Sequence, residues 1–370
     1  MIGSRAFSQQ TINASITHDN LQRDYILYIP ASYNGIVAVP LLFNFHGYTS
    51  NATEQMWYGD FRAIADTAGF IIVHPQGTLD NTGTTHFNVG FGGSTTDDLG
   101  FTDALLDTLI SNYMIDENRV YSTGMSNGGF MSFHLACNLS DRIAAVASVT
   151  GSMVPSTMTN CNATHMTPVL QIHGTADGTV PYNGNSFMEA IPDVLDHWAI
   201  HNGCSTTPIT LPVPNLSTTD GSTAERIGYQ DLNGCTTVLH FKVSNGGHTW
   251  PGSVFNLAGT NYDFDASAEI WNFLSQFDIN GVINDCQGLE MNESTLEFDV
   301  RIFPNPTRSI LTIEGLDGDY HYAQLCDPTG TSILETSINS SINTIDISAI
   351  SQGYYILLID GKTFRVAKID

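Results

Sequence analysis

The chain has 370 residues, long enough for one large core and a smaller second domain, and its 42% hydrophobic content supports globular packing. Twelve Lys and Arg stand against 37 Asp and Glu, and the formal net charge of −25 argues against nucleic acid and anionic lipid surfaces as partners. No apolar run reaches the length needed to cross a bilayer, so no transmembrane segment is expected.

In chain order, residues 1–5 lack the apolar stretch of an export signal. Ala6-Phe-Ser8 before Gln9 nonetheless has the pattern of a signal-peptidase site, which places the mature start close by. Asn-x-Ser/Thr sequons at Asn13, Asn51 and Asn162 are expected to be incidental. Pro40-Leu-Leu-Phe-Asn-Phe45 reads as an early buried strand that runs into His46-Gly47-Tyr48-Thr49.

The run Val120-Tyr-Ser-Thr-Gly-Met-Ser-Asn-Gly-Gly-Phe130 drives an apolar strand into Gly-x-Ser-x-Gly and then into a helix with Phe130, Phe133, Leu135, Ala136 and Leu139 on one face. A serine on such a sharp turn exposes its hydroxyl, and the helix N-terminus beneath supplies unpaired N–H groups for an oxyanion. Ser126 is therefore the candidate nucleophile. The competing role is that of a plain helix cap.

A further strand follows at Ala144–Val149. Pro168-Val-Leu-Gln-Ile-His-Gly174 reads as another buried strand, and the loop Thr175-Ala-Asp177-Gly-Thr-Val-Pro181 lies beyond its carboxyl end, where ligands gather in open parallel sheets. Asp177 is the candidate orienting acid, with Asp193 and Asp196 on a helix as rivals. Val238–Val243 alternates as a strand and opens into Ser244-Asn-Gly-Gly-His248-Thr-Trp-Pro-Gly252, which presents His248 as general base. The order Ser, Asp, His is that of an α/β-hydrolase triad, in which imidazole takes the serine proton and carboxylate fixes the imidazole tautomer. The oxyanion donors are assigned to the backbone N–H groups of Asn127 and Tyr48, and His46 is expected to brace its loop.

Ala266-Ser-Ala-Glu-Ile-Trp-Asn-Phe-Leu274 reads as the last helix of this domain. The expected organisation is a hydrolase domain over 15–278, a linker over 279–299 and a β domain over 300–370. Short β segments at Ile310–Ile313, Tyr322–Cys326, Ile333–Leu334, Ile345–Ile347 and Tyr354–Ile359 predict a small all-β sandwich.

Five motifs in order carry a resemblance: His46-Gly-Tyr, Asp97-Asp-Leu-Gly-Phe101, Gly124-Met-Ser-Asn-Gly-Gly129, His173-Gly-Thr-Ala-Asp177 with Pro181-Tyr182, and Gly247-His-Thr-Trp-Pro-Gly252. Residues 15 to 280 resemble the secreted polyhydroxybutyrate-depolymerase-like esterases, which include the feruloyl and acetylxylan esterases of carbohydrate esterase family 1. The resemblance implies an α/β-hydrolase, a mostly parallel sheet flanked by helices, that cleaves carboxylic esters through Ser126, Asp177 and His248 without metal or organic cofactor. It also implies that Trp250, beside the base, and Tyr48 line the substrate cleft. Disulfides Cys137–Cys161 and Cys204–Cys235 are expected, in part because the family carries similar pairs; Cys286 stays unassigned and Cys326 is expected as a buried thiol.

Phe303-Pro-Asn-Pro-Thr307, Asp327-Pro-Thr-Gly330, Gly353-Tyr-Tyr355 and Lys368-Ile369 resemble the type A sorting domain of the Bacteroidetes type IX secretion system, although the final Asp370 departs from its usual basic ending. That resemblance implies export across the outer membrane, to the medium or the cell surface, with the secretion machinery as partner. The expectation is an extracellular serine esterase that removes feruloyl or acetyl groups from plant or algal polysaccharides. A polyhydroxyalkanoate or other polyester hydrolase is the runner-up, and a non-catalytic surface-binding protein is a remote third.

Overall fold

The computed structural model describes residues 9–255, 257–283, 301–305, 307–314, 321–326, 332–339, 343–359 and 362–369. The chain divides into two compact units, Met1–Met291 and Asn292–Asp370. The leader at 1–8, the 284–299 part of the expected linker with Cys286, the motif Asp327–Gly330 and Asp370 lie outside the described residues.

The first unit begins with β1 (Gln10–His18), β2 (Leu21–Ile29), β3 (Val39–Phe45), α1 (Ala52–Tyr58), α2 (Arg62–Ala68), β4 (Ile71–Pro75) and the short pair β5 (Thr78–Leu79) and β6 (Thr85–His86). It continues through α3 (Asp98–Asn112), β7 (Ile115–Met125), α4 (Asn127–Asn138), β8 (Ala145–Val149), α5 (Pro155–Thr159) and β9 (Val169–Gly174). Last come α6 (Ile191–His201), β10 (Ile209–Pro212), β11 (Thr223–Gln230), β12 (Thr236–Ser244), α7 (Ala266–Leu274) and the hairpin β13 (Phe277–Asp278) with β14 (Gly281–Val282).

Ten strands form one sheet in the order β1-β2-β4-β3-β7-β8-β9-β12-β11-β10. The six from β4 to β12 run parallel, and antiparallel strands extend both edges. Strands β4, β8 and β9 are buried along their whole length, which is why they read as continuous apolar runs: helices cover both faces. Phe43, Phe45, Phe133 and Trp198 pack in the core on one face, and Leu42, Ile72, Tyr121 and Trp271 on the other. This is the α/β-hydrolase architecture expected from the sequence.

Register brings the functional loops together. Phe45 pairs with Gly124, Met125 with Val149, and Gly174 with Val243, so the loops after β3, β7, β9 and β12 all leave the same end of the sheet. The sheet also starts earlier than residue 15, because β1 alternates from Gln10 and its Ile12, Ala14 and Ile16 pack on the core. Residues 279–283 extend the fold rather than the linker: Ile279 N–H donates to Asn118 O and Ile283 N–H to Gln276 O around the β13–β14 hairpin.

Cys137 and Cys161 form the expected disulfide. The Cys204–Cys235 pairing is corrected. Cys204 carries a free thiol 3.0 Å from Thr237 Oγ1 and packs against one core cluster, whereas Cys235 belongs to the other cluster and is disulfide-bonded elsewhere.

The second unit holds two sheets, β15 (Arg301–Phe303), β16 (Ile310–Glu314) and β19 (Thr344–Asp346) in one, and β17 (His321–Cys326), β18 (Ser332–Ile338), β20 (Gly353–Ile359) and β21 (Lys362–Lys368) in the other. Leu311, Ile313, Leu325, Ile345, Leu357 and Val366 fill its core, and Cys326 is buried as expected. The Phe303–Thr307 motif ties the two ends of the unit together: Thr307 N–H donates to Ala367 O, Ile369 N–H to Thr307 O and Ala367 N–H to Asn305 Oδ1.

Candidate active site

Ser126 occupies the corner between β7 and α4 with φ 54° and ψ −118°, a backbone region costly for any residue with a side chain. Its N–H donates to Val149 O and its carbonyl accepts from Phe130 N–H, which hold the corner from both sides. The side chain makes no cap hydrogen bond to the helix, so the capping role is not the one it plays. Gly124 and Gly128 are required by close approach. A Cβ on either would run into the backbone carbonyl of Phe45, and one on Gly124 would also meet Gly128. The elbow is thus pressed against the loop after β3.

Asp177 is buried one turn beyond β9. Its Oδ1 accepts from the N–H groups of Thr179 and Val180 at 2.8 and 2.9 Å, and its Oδ2 lies 2.7 Å from His248 Nδ1. Burial alone would raise the carboxyl pKa, but the His248 hydrogen bond and charge and the Val180 N–H more than offset it, leaving the group below the usual carboxylate range. The carboxylate accepts the Nδ1 proton, so His248 Nε2 is the nitrogen left to receive one. Asp193 and Asp196 sit exposed on α6.

Two further histidines buttress these loops. His173 donates from Nε2 to Val180 O at 2.8 Å and accepts at Nδ1 from Gln171 Nε2, and burial lowers its pKa to about 4. His46 donates from Nδ1 to Gly47 O and accepts at Nε2 from Gly77 N–H, and burial lowers its pKa to about 4. Both rings are neutral at neutral pH and fixed in one tautomer, and His46 braces its loop as expected.

A cavity of about 330 Å³ opens at Ser126, lined by Phe87, Val89, Phe91, Phe130, Val180 and Met188 together with Tyr48, Asp80, His86, Asn88 and Asn127. Tyr48 stands at the cavity 46% exposed, its hydroxyl donating to Asp80 Oδ2 at 2.7 Å. Asn127 begins α4, where its N–H has no partner within the helix; its side chain clamps Phe87, accepting from Phe87 N–H and donating to Phe87 O.

Trp250 does not line this cavity. It is 1% exposed in the core, its ring edge-on to Phe61 and its Nε1–H donating to Ser267 Oγ. The indole occupies a slot that exists because residue 59 is glycine: a Cβ there would fall 2.9 Å from the ring.

The wall over residues 86–92 was not legible beforehand. It is held from afar: Asp98 accepts from Asn88 N–H at 2.7 Å and forms a buried ion pair with Arg23 of β2, whose guanidinium stacks on Phe101. Asp97, its neighbour in the same motif, caps α3 through Gly100 N–H. The only local signal was the aromatic, glycine-rich run Phe87-Asn-Val-Gly-Phe91-Gly-Gly93.

Residues 95–201, which hold the elbow and Asp177, match the phospholipase/carboxylesterase family, and residues 301–369 match the secretion system C-terminal sorting domain. The chain is 29% identical over 236 residues to a probable feruloyl esterase C of Aspergillus clavatus, covering 61% of this chain and 75% of that protein. It is 29% identical over 238 residues to feruloyl esterase B of Piromyces equi, covering 61% of this chain and 42% of that protein. It is 25% identical over 275 residues to a bifunctional acetylxylan esterase/xylanase of Neocallimastix patriciarum, covering 74% of this chain and 36% of that protein.

Proposed function

We propose that this exported carboxylic ester hydrolase removes acyl groups from plant or algal polysaccharides, with Ser126 as nucleophile, His248 as general base and Asp177 as the acid that orients it. The reading rests above all on the 2.7 Å bond between buried Asp177 and His248, made by loops that leave the sheet at the same end as the strained Ser126 elbow. Ser126 Oγ attacks the ester carbonyl as its proton passes to His248 Nε2. The N–H groups of Asn127 and Tyr48 receive the oxyanion, and the imidazolium returns the proton to the departing alcohol. Water then repeats the sequence on the acyl-enzyme.

A feruloyl group suits the cavity better than acetyl, which would leave most of about 330 Å³ unfilled; Phe87, Phe91 and Phe130 offer faces and edges to a planar ring. The feruloyl and acetylxylan esterases among the relatives support the same class of substrate. The second unit serves to hand the chain to the type IX secretion machinery. The test is hydrolysis by the purified chain of methyl ferulate, acetylated xylan and a polyhydroxybutyrate suspension in parallel. Release of ferulate or acetate is expected, and soluble hydroxybutyrate alone would move the function to polyester degradation.

A further inference from the structure

Asp80 brings a charge to the cavity wall. It opens the turn between β5 and β6, where its N–H donates to Thr84 O and the next N–H, that of Asn81, donates to Gly93 O. Its Oδ1 accepts from Thr82 N–H, Thr82 Oγ1 and Thr84 N–H at 2.8, 2.6 and 3.0 Å, and its Oδ2 accepts from the Tyr48 hydroxyl at 2.7 Å. These donors, the Thr82 hydroxyl first, hold the carboxyl well below the usual carboxylate range, so it is ionised wherever His248 can act as a base. The side chain is partly exposed and lines the cavity together with Tyr48, so a bound ester meets it. Among the described residues Asp80 forms no ion pair, and no Lys or Arg lines the cavity with it.

We propose that Asp80 is a specificity-determining residue whose fixed negative charge makes the enzyme accept esters of neutral acyl groups and reject those whose acyl group carries an anion. The proposal rests on the feruloyl reading above and narrows its substrate class. A cavity of about 330 Å³ is only about 9 Å across, so a carboxylate on an acyl group seated there lies close enough to Asp80 to weaken binding roughly tenfold or more. Protonation of Asp80 cannot relieve that repulsion, because its four donors favour the ionised form. The net charge of −25 repels anions as well, but through solvent, where salt screens it. Repulsion by Asp80 acts across a cavity from which the substrate displaces water, and so persists at high salt.

The experiment measures kcat/KM of the full chain on methyl 4-carbamoylcinnamate and methyl 4-carboxycinnamate, which share a shape and differ in charge, with methyl ferulate and p-nitrophenyl acetate alongside. At about 0.5 M salt the screening length is roughly 4 Å, which removes the field of the distant surface charges. The wild-type chain is expected to prefer the carbamoyl ester by roughly tenfold under those conditions. Asp80→Asn, which keeps the Oδ1 acceptor, should bring the ratio to within about threefold of unity, and Asp80→Glu, which keeps the charge, should retain most of the preference. A wild-type ratio near unity overturns the proposal without reference to any variant. A ratio that survives in Asp80→Asn with the melting profile of the parent overturns it in favour of the overall charge of the chain. In either case turnover of methyl ferulate leaves the feruloyl reading standing. Turnover of p-nitrophenyl acetate with none of any cinnamoyl ester would sink that reading and the proposal together.

Discussion

Ser126, Asp177 and His248 follow the ends of parallel strands, and the backbone holds the first two in place. Asp177 is bound by the N–H groups of Thr179 and Val180, and Ser126 by Val149 of the adjoining strand. Residues 86–92 are instead held by side chains of other elements: Asn127 of α4 on Phe87, Asp98 of α3 on Asn88, and Arg23 of β2 behind Asp98. Ser126 and Asp177 are thus fixed chiefly by backbone groups, and the 86–92 wall chiefly by side-chain clamps. Reaction chemistry tolerates few residue types at few positions, whereas a wall needs only shape.

The largest effects should come from the reacting side. Ser126→Ala and Asp177→Asn should each lower kcat by about 10⁴-fold while leaving the melting profile close to that of the parent, because nucleophile, base and acid act as one unit. The Asn variant keeps the shape of Asp177 but turns the imidazole to the wrong tautomer. Turnover within tenfold of the parent in either variant would remove that residue from the mechanism, and steady-state kinetics on methyl ferulate decides it.

The same difference explains what could be read in advance. Gly-x-Ser-x-Gly, the Asp177 loop and the His248 loop announce themselves through glycines and strand ends a few residues away. Trp250 misled because a tryptophan two residues from a general base looks like cleft lining, yet Gly59, nearly 200 positions earlier, opens the core slot that takes it. Cys204 misled for a similar reason, since nearness to Cys235 in a loop-rich segment says nothing about which face of the sheet each meets. Asp97 and Asp98 are adjacent in sequence but divide into a helix cap and a buried ion-pair partner, and only the fold separates them.

The distant wall should break through stability rather than chemistry. Asp98→Ala leaves the Arg23 guanidinium buried without its carboxylate and is expected to cost about 3–5 kcal/mol of unfolding free energy, read by urea or thermal denaturation. Removal of both partners as Arg23→Met with Asp98→Leu should recover much of that loss. A double variant no more stable than the single one would show that Asp98 matters for Asn88 more than for Arg23.

A third test returns to the reacting side through pH. His46 and His173 have folded pKa values lowered by burial to about 4, below the unfolded value of about 6.5. Between those limits the unfolded chain binds protons that the native chain refuses, so the stabilising contribution is complete above pH 6.5 and is lost as pH falls towards 4. Each group should contribute about 3 kcal/mol to that loss, an order-of-magnitude figure. Unfolding free energies at pH 7, 6 and 5 should decline steadily, with a shallower slope in His173→Gln. A flat profile would mean that these rings are not held neutral.

The smallest expected effect separates two roles that fall on Tyr48. Its assignment as an oxyanion donor rests on the backbone N–H, which any residue there would supply, whereas its contact with substrate rests on an exposed ring whose hydroxyl bonds Asp80. Tyr48→Phe keeps the N–H and the ring and loses only that exposed bond, worth about 1 kcal/mol or less. It should therefore leave kcat nearly unchanged and move KM by less than about fivefold. Tyr48→Ala removes the ring as well and should raise KM further at similar kcat, because the lost contact is made equally in ground and transition states. A drop of 100-fold in kcat for Tyr48→Phe would mean instead that the phenol hydroxyl itself meets the reacting oxygen, and the backbone would lose its place as the second oxyanion donor.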